Sequence, residues 1–172
     1  MRDVLLKSAV TVAVLMLSAT AQAQQPPGAS PAPPAPPMPY GPSVTLEQAK
    51  KAAAAAEEEA RKNNWGMNIA VVSPSGDLVH FSRMDNAQYA SITIAQHKAR
   101  TAARFRRPTK AFQEALAAKP ENIYLLSLDD VVASEGGIPI VADGKIIGAV
   151  GCSGGTSPQD GQACQAGVNA LK

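Results

Sequence analysis

The stretch Ser91–Thr109, SITIAQHKARTAARFRRPT, holds one of the chain's two histidines, His97, together with Arg100, Arg104, Arg106 and Arg107. At helical spacing His97, Arg100, Arg104 and Arg107 share one flank. Imidazole is a ligand for iron, and guanidinium pairs with carboxylates. The stripe could therefore face haem or another small anionic ligand, with His97 on the metal and Arg100 or Arg104 on a propionate. The competing reading is a solvated basic face. On another flank Ser91, Ala95, Ala99 and Ala102 recur every three to four residues, small enough to let a second backbone approach.

His80 is the second candidate ligand. The run Leu78–Met84 reads as a strand on which Leu78, His80, Ser82 and Met84 share one face, with Val79, Phe81 and Arg83 on the other. His80 and Met84 would stand about 13 Å apart along it, too far to ligate one iron within a chain unless the strand is broken.

Other chemistries find less support. Gly148, Gly151, Gly154 and Gly155 precede a predicted helix start, where N–H groups and the helix dipole could cradle an anion. The spacing is not a dinucleotide fingerprint, no phosphate-loop lysine follows, and a strand-to-helix turn needs glycines in any case. No nucleophile elbow surrounds a serine, and Ser153 with either histidine is a free combination. Asp85, Asp129, Asp130, Glu135 and Asp143 are scattered without metal-ligand spacing. Cys152 and Cys164 lack CxxC spacing; they form either a bridge or two separate thiols, and the sequence leaves both open.

The elements that must position these residues follow from local signals. Thr45-Leu46-Glu47-Gln48 is a capping box opening a helix to about Asn63, rich in alanine and charge pairs. Met67–Ser73, a Pro74–Asp77 turn and Leu78–Met84 make a hairpin. The helix from Ser91 runs to about Arg107, Pro108 interrupts it, and a shorter helix spans Thr109–Ala118. Glu121–Ser134 reads as a loop with short regular pieces. Gly136–Val141 and Ile146–Gly151 flank an Asp143-Gly144 turn as a second hairpin, with Pro139 marking an edge strand. A last helix starts with Ser157 as N-cap and Pro158 at the first helical position. This order suits an antiparallel sheet with helices packed on it, an α/β (α+β) class.

Residues 1–23 read as a secretory signal: Arg2 and Lys7, the apolar Ala9–Leu17, then Ala21-Gln22-Ala23 as cleavage site. The apolar run is too short to span a bilayer, so cleavage near Ala23 should release a periplasmic or secreted protein without stable membrane insertion. Residues 24–42 hold most of the 14 prolines and form a polyproline-type linker. Residues 43–172 are the length of one domain. Losing Arg2, Asp3 and Lys7 lowers the formal net charge from +2 to +1, and aromatics are 4% of the chain. Neither value fits a nucleic-acid binder.

Three blocks in this order carry a family resemblance: Gly76-Asp77-Leu78-Val79 with Arg83-Met84-Asp85; Ser91 through Lys98-Ala99-Arg100-Thr101-Ala102 to Arg106-Arg107-Pro108-Thr109; and Gly136-Gly137-Ile138-Pro139-Ile140 with Asp143-Gly144-Lys145 through Gly154. Over residues 44–172 the chain resembles the GlcG/HbpS family, called haem-degrading or haem-binding, whose fold recurs as the C-terminal domain of PduO-type corrinoid adenosyltransferases. The resemblance implies a profilin-like domain, an antiparallel sheet of about five strands flanked by helices, assembling as a homo-oligomer. It also implies haem or tetrapyrrole binding, and for secreted members iron or redox sensing beside a sensor kinase. Haem degradation is an activity implied by resemblance alone. The competing function is an oligomeric scaffold or small-acid binder without haem chemistry, its small-residue flank and arginines buried between subunits.

Overall fold

The structure is a computed structural model that describes residues 36–172. The expected secretory signal, residues 1–23, and residues 24–35 of the expected linker lie outside the described residues.

The elements are α1 (Leu46–Lys62), β1 (Asn68–Val72), β2 (Leu78–Arg83), α2 (Ala90–Phe105), α3 (Lys110–Ala118), a 3₁₀ segment (Pro120–Ser127), β3 (Gly137–Ala142), β4 (Lys145–Ser153) and α4 (Ser157–Asn169). The two hairpins join through their first and last strands into one antiparallel sheet of order β2-β1-β4-β3. Helix, hairpin, two helices, hairpin and helix thus appear in the expected order, with 3₁₀ turns in the stretch expected to be loop with short regular pieces.

Every residue of β1 is buried, because the sheet is covered on both faces. Ile69, Val71, Val150 and Cys152 meet the alanine face of α1 and the apolar face of α4. Ala70, Val72 and Ala149 meet Ala95, Ala99, Ala102 and Ala103 of α2. Small residues let α2 lie almost on the strands. A Cβ at Gly151 would land on the Ala95 carbonyl oxygen, and one at Gly137 on the Lys98 carbonyl oxygen. The small-residue flank therefore packs on its own sheet and leaves no surface there for another subunit.

The expected five strands are four among the described residues. Tyr40 makes only an isolated parallel bridge to Ile146, flanked by hydrogen bonds from Gly41 N–H to Ile146 O and from Val44 N–H to Ile147 O. Pro39 and Pro42 lack N–H groups, so this stretch cannot lengthen into a ladder.

The Thr45 capping box forms as expected, with Gln48 N–H to Thr45 Oγ1 at 3.2 Å and Thr45 N–H to Gln48 Oε1 at 2.9 Å. At α4 the cap is Thr156 rather than Ser157, which enters the first turn beside Pro158. Gln159 reaches back to Thr156 N–H at 2.8 Å, a reciprocal contact that an N-cap at Ser157 would forgo. Helix α2 stops at Phe105, not Arg107: Arg106 turns left-handed at φ 56 and ends it before Pro108.

Cys152 on β4 and Cys164 on α4 form a disulfide with Cα atoms 5.6 Å apart. Both are fully buried, tying the sheet to its covering helix. No helix of the described residues is long and apolar enough to cross a membrane.

Candidate functional site

The predicted stripe on α2 survives in shortened form. His97, Arg100 and Arg104 lie within the helix on the flank away from the sheet, His97 and Arg100 half-buried and Arg104 exposed. Arg107 leaves the stripe because the chain has already turned at Arg106; its guanidinium sits 4.8 Å from the Phe112 ring centroid.

The arginines of the stripe are not equivalent. Arg104 donates from Nε to Ser75 O at 2.8 Å and pairs through Nη1 with the Asp130 carboxylate. Arg100 makes one weaker bond, Nε to Gly76 O at 3.3 Å, and no ion pair among the described residues. Together they hold the β1–β2 turn against the helix, and a Cβ at Gly76 would press on both. Arg100 is the member of the stripe with charge left for a ligand. The His97 side chain forms no hydrogen bond among the described residues, whereas its carbonyl accepts from Thr101 Oγ1 at 2.8 Å. Thr101 Oγ1 also meets Asp130 O and accepts from Val132 N–H, so residues 130–132 cross the outward flank beside His97.

His80 is elsewhere. A bulge at Val71/Val72 pairs Leu78 with Val72 and His80 with Val71. Opposite residues of an antiparallel pair share a face, so Leu78 stands on the α2 side and His80 on the α1 side. The expected sharing of one face by Leu78 and His80 is therefore broken by the extra residue, Val79, which packs towards α1. His80 Nε2 lies 3.4 Å from Ser82 Oγ on that side. The sheet separates His80 from His97, and one chain cannot offer both to one iron.

A buried polar centre escaped the sequence reading. Lys98 of α2 is 1% exposed and Asp160 of α4 3% exposed, with Nζ to Oδ2 at 2.7 Å. The ammonium also donates to Glu135 O at 2.7 Å and Cys152 O at 3.3 Å, using all three protons. Asp160 accepts from Gly155 N–H at 2.9 Å and from the Gly154 backbone. Burial pushes the Asp160 carboxyl up from its ordinary value, against the pull of Lys98 and the glycine N–H groups. The glycine cradle at the start of α4 thus holds the chain's own carboxylate, which fills the place of an external anion. The available signals were Lys98 beside the small-residue flank and Asp160 in the first turn of α4. Neither names the other across 62 residues of chain.

No group of three or more His, Cys, Asp or Glu side chains gathers for a metal ion among the described residues. Haem iron asks less, since the porphyrin supplies four nitrogens and the protein one or two axial ligands. A free imidazole beside an uncompensated guanidinium fits that demand.

The family model described as "Haem degrading protein HbpS-like" matches residues 44–169. Protein GlcG of Escherichia coli strain K12 is 43% identical over 110 residues, 64% of this chain and 81% of GlcG. The crystal structure of HbpS superposes with TM-score 0.71 at 32% identity, covering 77% of this chain and 92% of that one. That of a PduOC:haem complex superposes with TM-score 0.69 at 25% identity, covering 76% and 96%.

Proposed function

This chain belongs to the HbpS-like haem-degrading family, and we propose that it is an exported haem-binding protein of iron or haem handling in which His97 ligates the iron. Arg100 is the first partner for a propionate; Arg104 contributes less because Asp130 already faces its guanidinium. The observation that carries the reading is the His97 imidazole, without a hydrogen-bond partner among the described residues, on the outward flank of α2 and one turn from Arg100. Bound haem would supply the redox chemistry of its iron; the chain's part is to hold and orient it.

A flat tetrapyrrole needs apolar walls, which His97, Arg100 and Arg104 do not supply. Ile123, Tyr124 and Leu126 are 69, 57 and 59% exposed on the 3₁₀ segment, just ahead of the residues that cross α2. Exposed apolar side chains in such number mark a contact surface, so a second copy of the chain is part of the proposal.

Haemin titration of His97→Ala and His80→Ala tests the assignment. The Soret shift weakens or disappears in His97→Ala and persists in His80→Ala. Wild-type behaviour in His97→Ala removes His97 as the ligand. Haem degradation is a separate step, checked by iron release or ring-opened product under turnover with a reductant or peroxide.

A further inference from the structure

Strand β3 forms one edge of the sheet and runs beside α4. Between them lies a cleft of about 270 Å³ whose apolar lining includes Ile138, Pro139, Val141, Val168 and Met38. Arg106 and Lys172 stand at its rim, and no acidic side chain lines it. The Lys172 ammonium donates to Asn169 Oδ1 at 2.8 Å, whereas the Arg106 guanidinium meets no side-chain acceptor among the described residues.

Arg106 is held in place without being neutralised. Its guanidinium stacks 5.2 Å from the Tyr40 ring centroid and donates from Nη1 to Met38 O at 3.3 Å. It forms no ion pair among the described residues, whereas neighbouring Arg104 and Lys110 both do. A positioned, uncompensated guanidinium beside an apolar lining complements a carboxylate attached to an apolar body. A peptide strand added to the β3 edge fits less well, because Pro139 offers no N–H to a ladder.

We propose that the β3–α4 cleft binds a free medium-chain acyl carboxylate, its head on Arg106 and its chain over Ile138, Pro139, Val141 and Val168. The site shares no residue with the His97 stripe and stands or falls independently of haem binding.

Decanoate, decanol and the ¹H–¹⁵N spectrum of the protein test this. Decanoate should shift the amides of Ile138, Val141, Gln165 and Val168 saturably, with decanol binding at least about tenfold more weakly. Arg106→Glu should weaken decanoate by about tenfold or more while leaving the haemin titration unchanged. Because Arg106 also stacks on Tyr40, Val141→Asp supplies a second variant on an exposed strand position, with the same expected loss. The proposal is overturned by an absence of saturable shifts, by shifts confined to other elements, by equal binding of decanol and decanoate, or by full affinity in both variants.

Discussion

Lys98 joins four separate parts of the chain through one ammonium group: its own helix, Glu135 ahead of β3, Cys152 on β4 and Asp160 on α4. A buried ion pair gains little over apolar packing when intact, but losing one partner strands the other charge. Lys98→Met should therefore destabilise the fold by about 3–5 kcal/mol, measured by urea denaturation. Replacing both members, Lys98→Met with Asp160→Leu, should cost less than the two single changes summed. Equal stability of Lys98→Met and wild type would show that the pair does not anchor these elements. At this scale the place of His97 on the outward flank of α2 was legible, because its helical neighbours could be read from a single stretch. The division of labour between Arg100 and Arg104 was not: it depends on Asp130, Ser75 and Gly76 folding back onto α2.

The elements were legible where their signals are local. Thr45 and Gln48 lie three residues apart and specify their own cap; Asp143-Gly144 makes its own turn, with Asp143 at φ 49 and Gly144 at φ 71. Errors came where tertiary contacts choose. The end of α2 is set by Arg106 and by Tyr40, whose hydroxyl donates to Arg104 O at 2.7 Å and lies 3.3 Å from Ala103 O. Those are carbonyls that a helix C-terminus leaves without partners. The proline-rich stretch is thus fastened at its end to the helix that carries the candidate site. Tyr40→Phe should lower stability by about 1 kcal/mol in the same denaturation assay, and an unchanged midpoint would dismiss the phenol as a cap. The bulge at Val79 is the other instance. Strand alternation predicts faces only while the register is unbroken, and one extra residue moved His80 away from Leu78.

For the whole molecule, the order of elements already set the class and the resemblance the architecture, including the sheet with helices on it. Two features were out of reach of the sequence: which helix covers which face, and that α2 spends its small residues inside its own chain. A homo-oligomer built through this domain should therefore use another surface, and the exposed Ile123, Tyr124 and Leu126 are the first choice. Light scattering of Ile123→Glu/Leu126→Glu is expected to give monomers from an oligomeric wild type; an undiminished mass places the interface elsewhere. The proposed export predicts that protein recovered from the periplasm or medium begins at Gln24, and recovery from Met1 would overturn it.

Haem binding by this domain is the proposal on which the roles of His97 and Arg100 depend. Titrating the purified wild-type protein with haemin while recording its absorption spectrum tests it most directly. Haem held by the domain should give a Soret band that shifts and saturates at a fixed ratio of haem to chain; absorbance that rises in simple proportion to added haemin, with the spectrum of haemin in buffer, would show that it is not held.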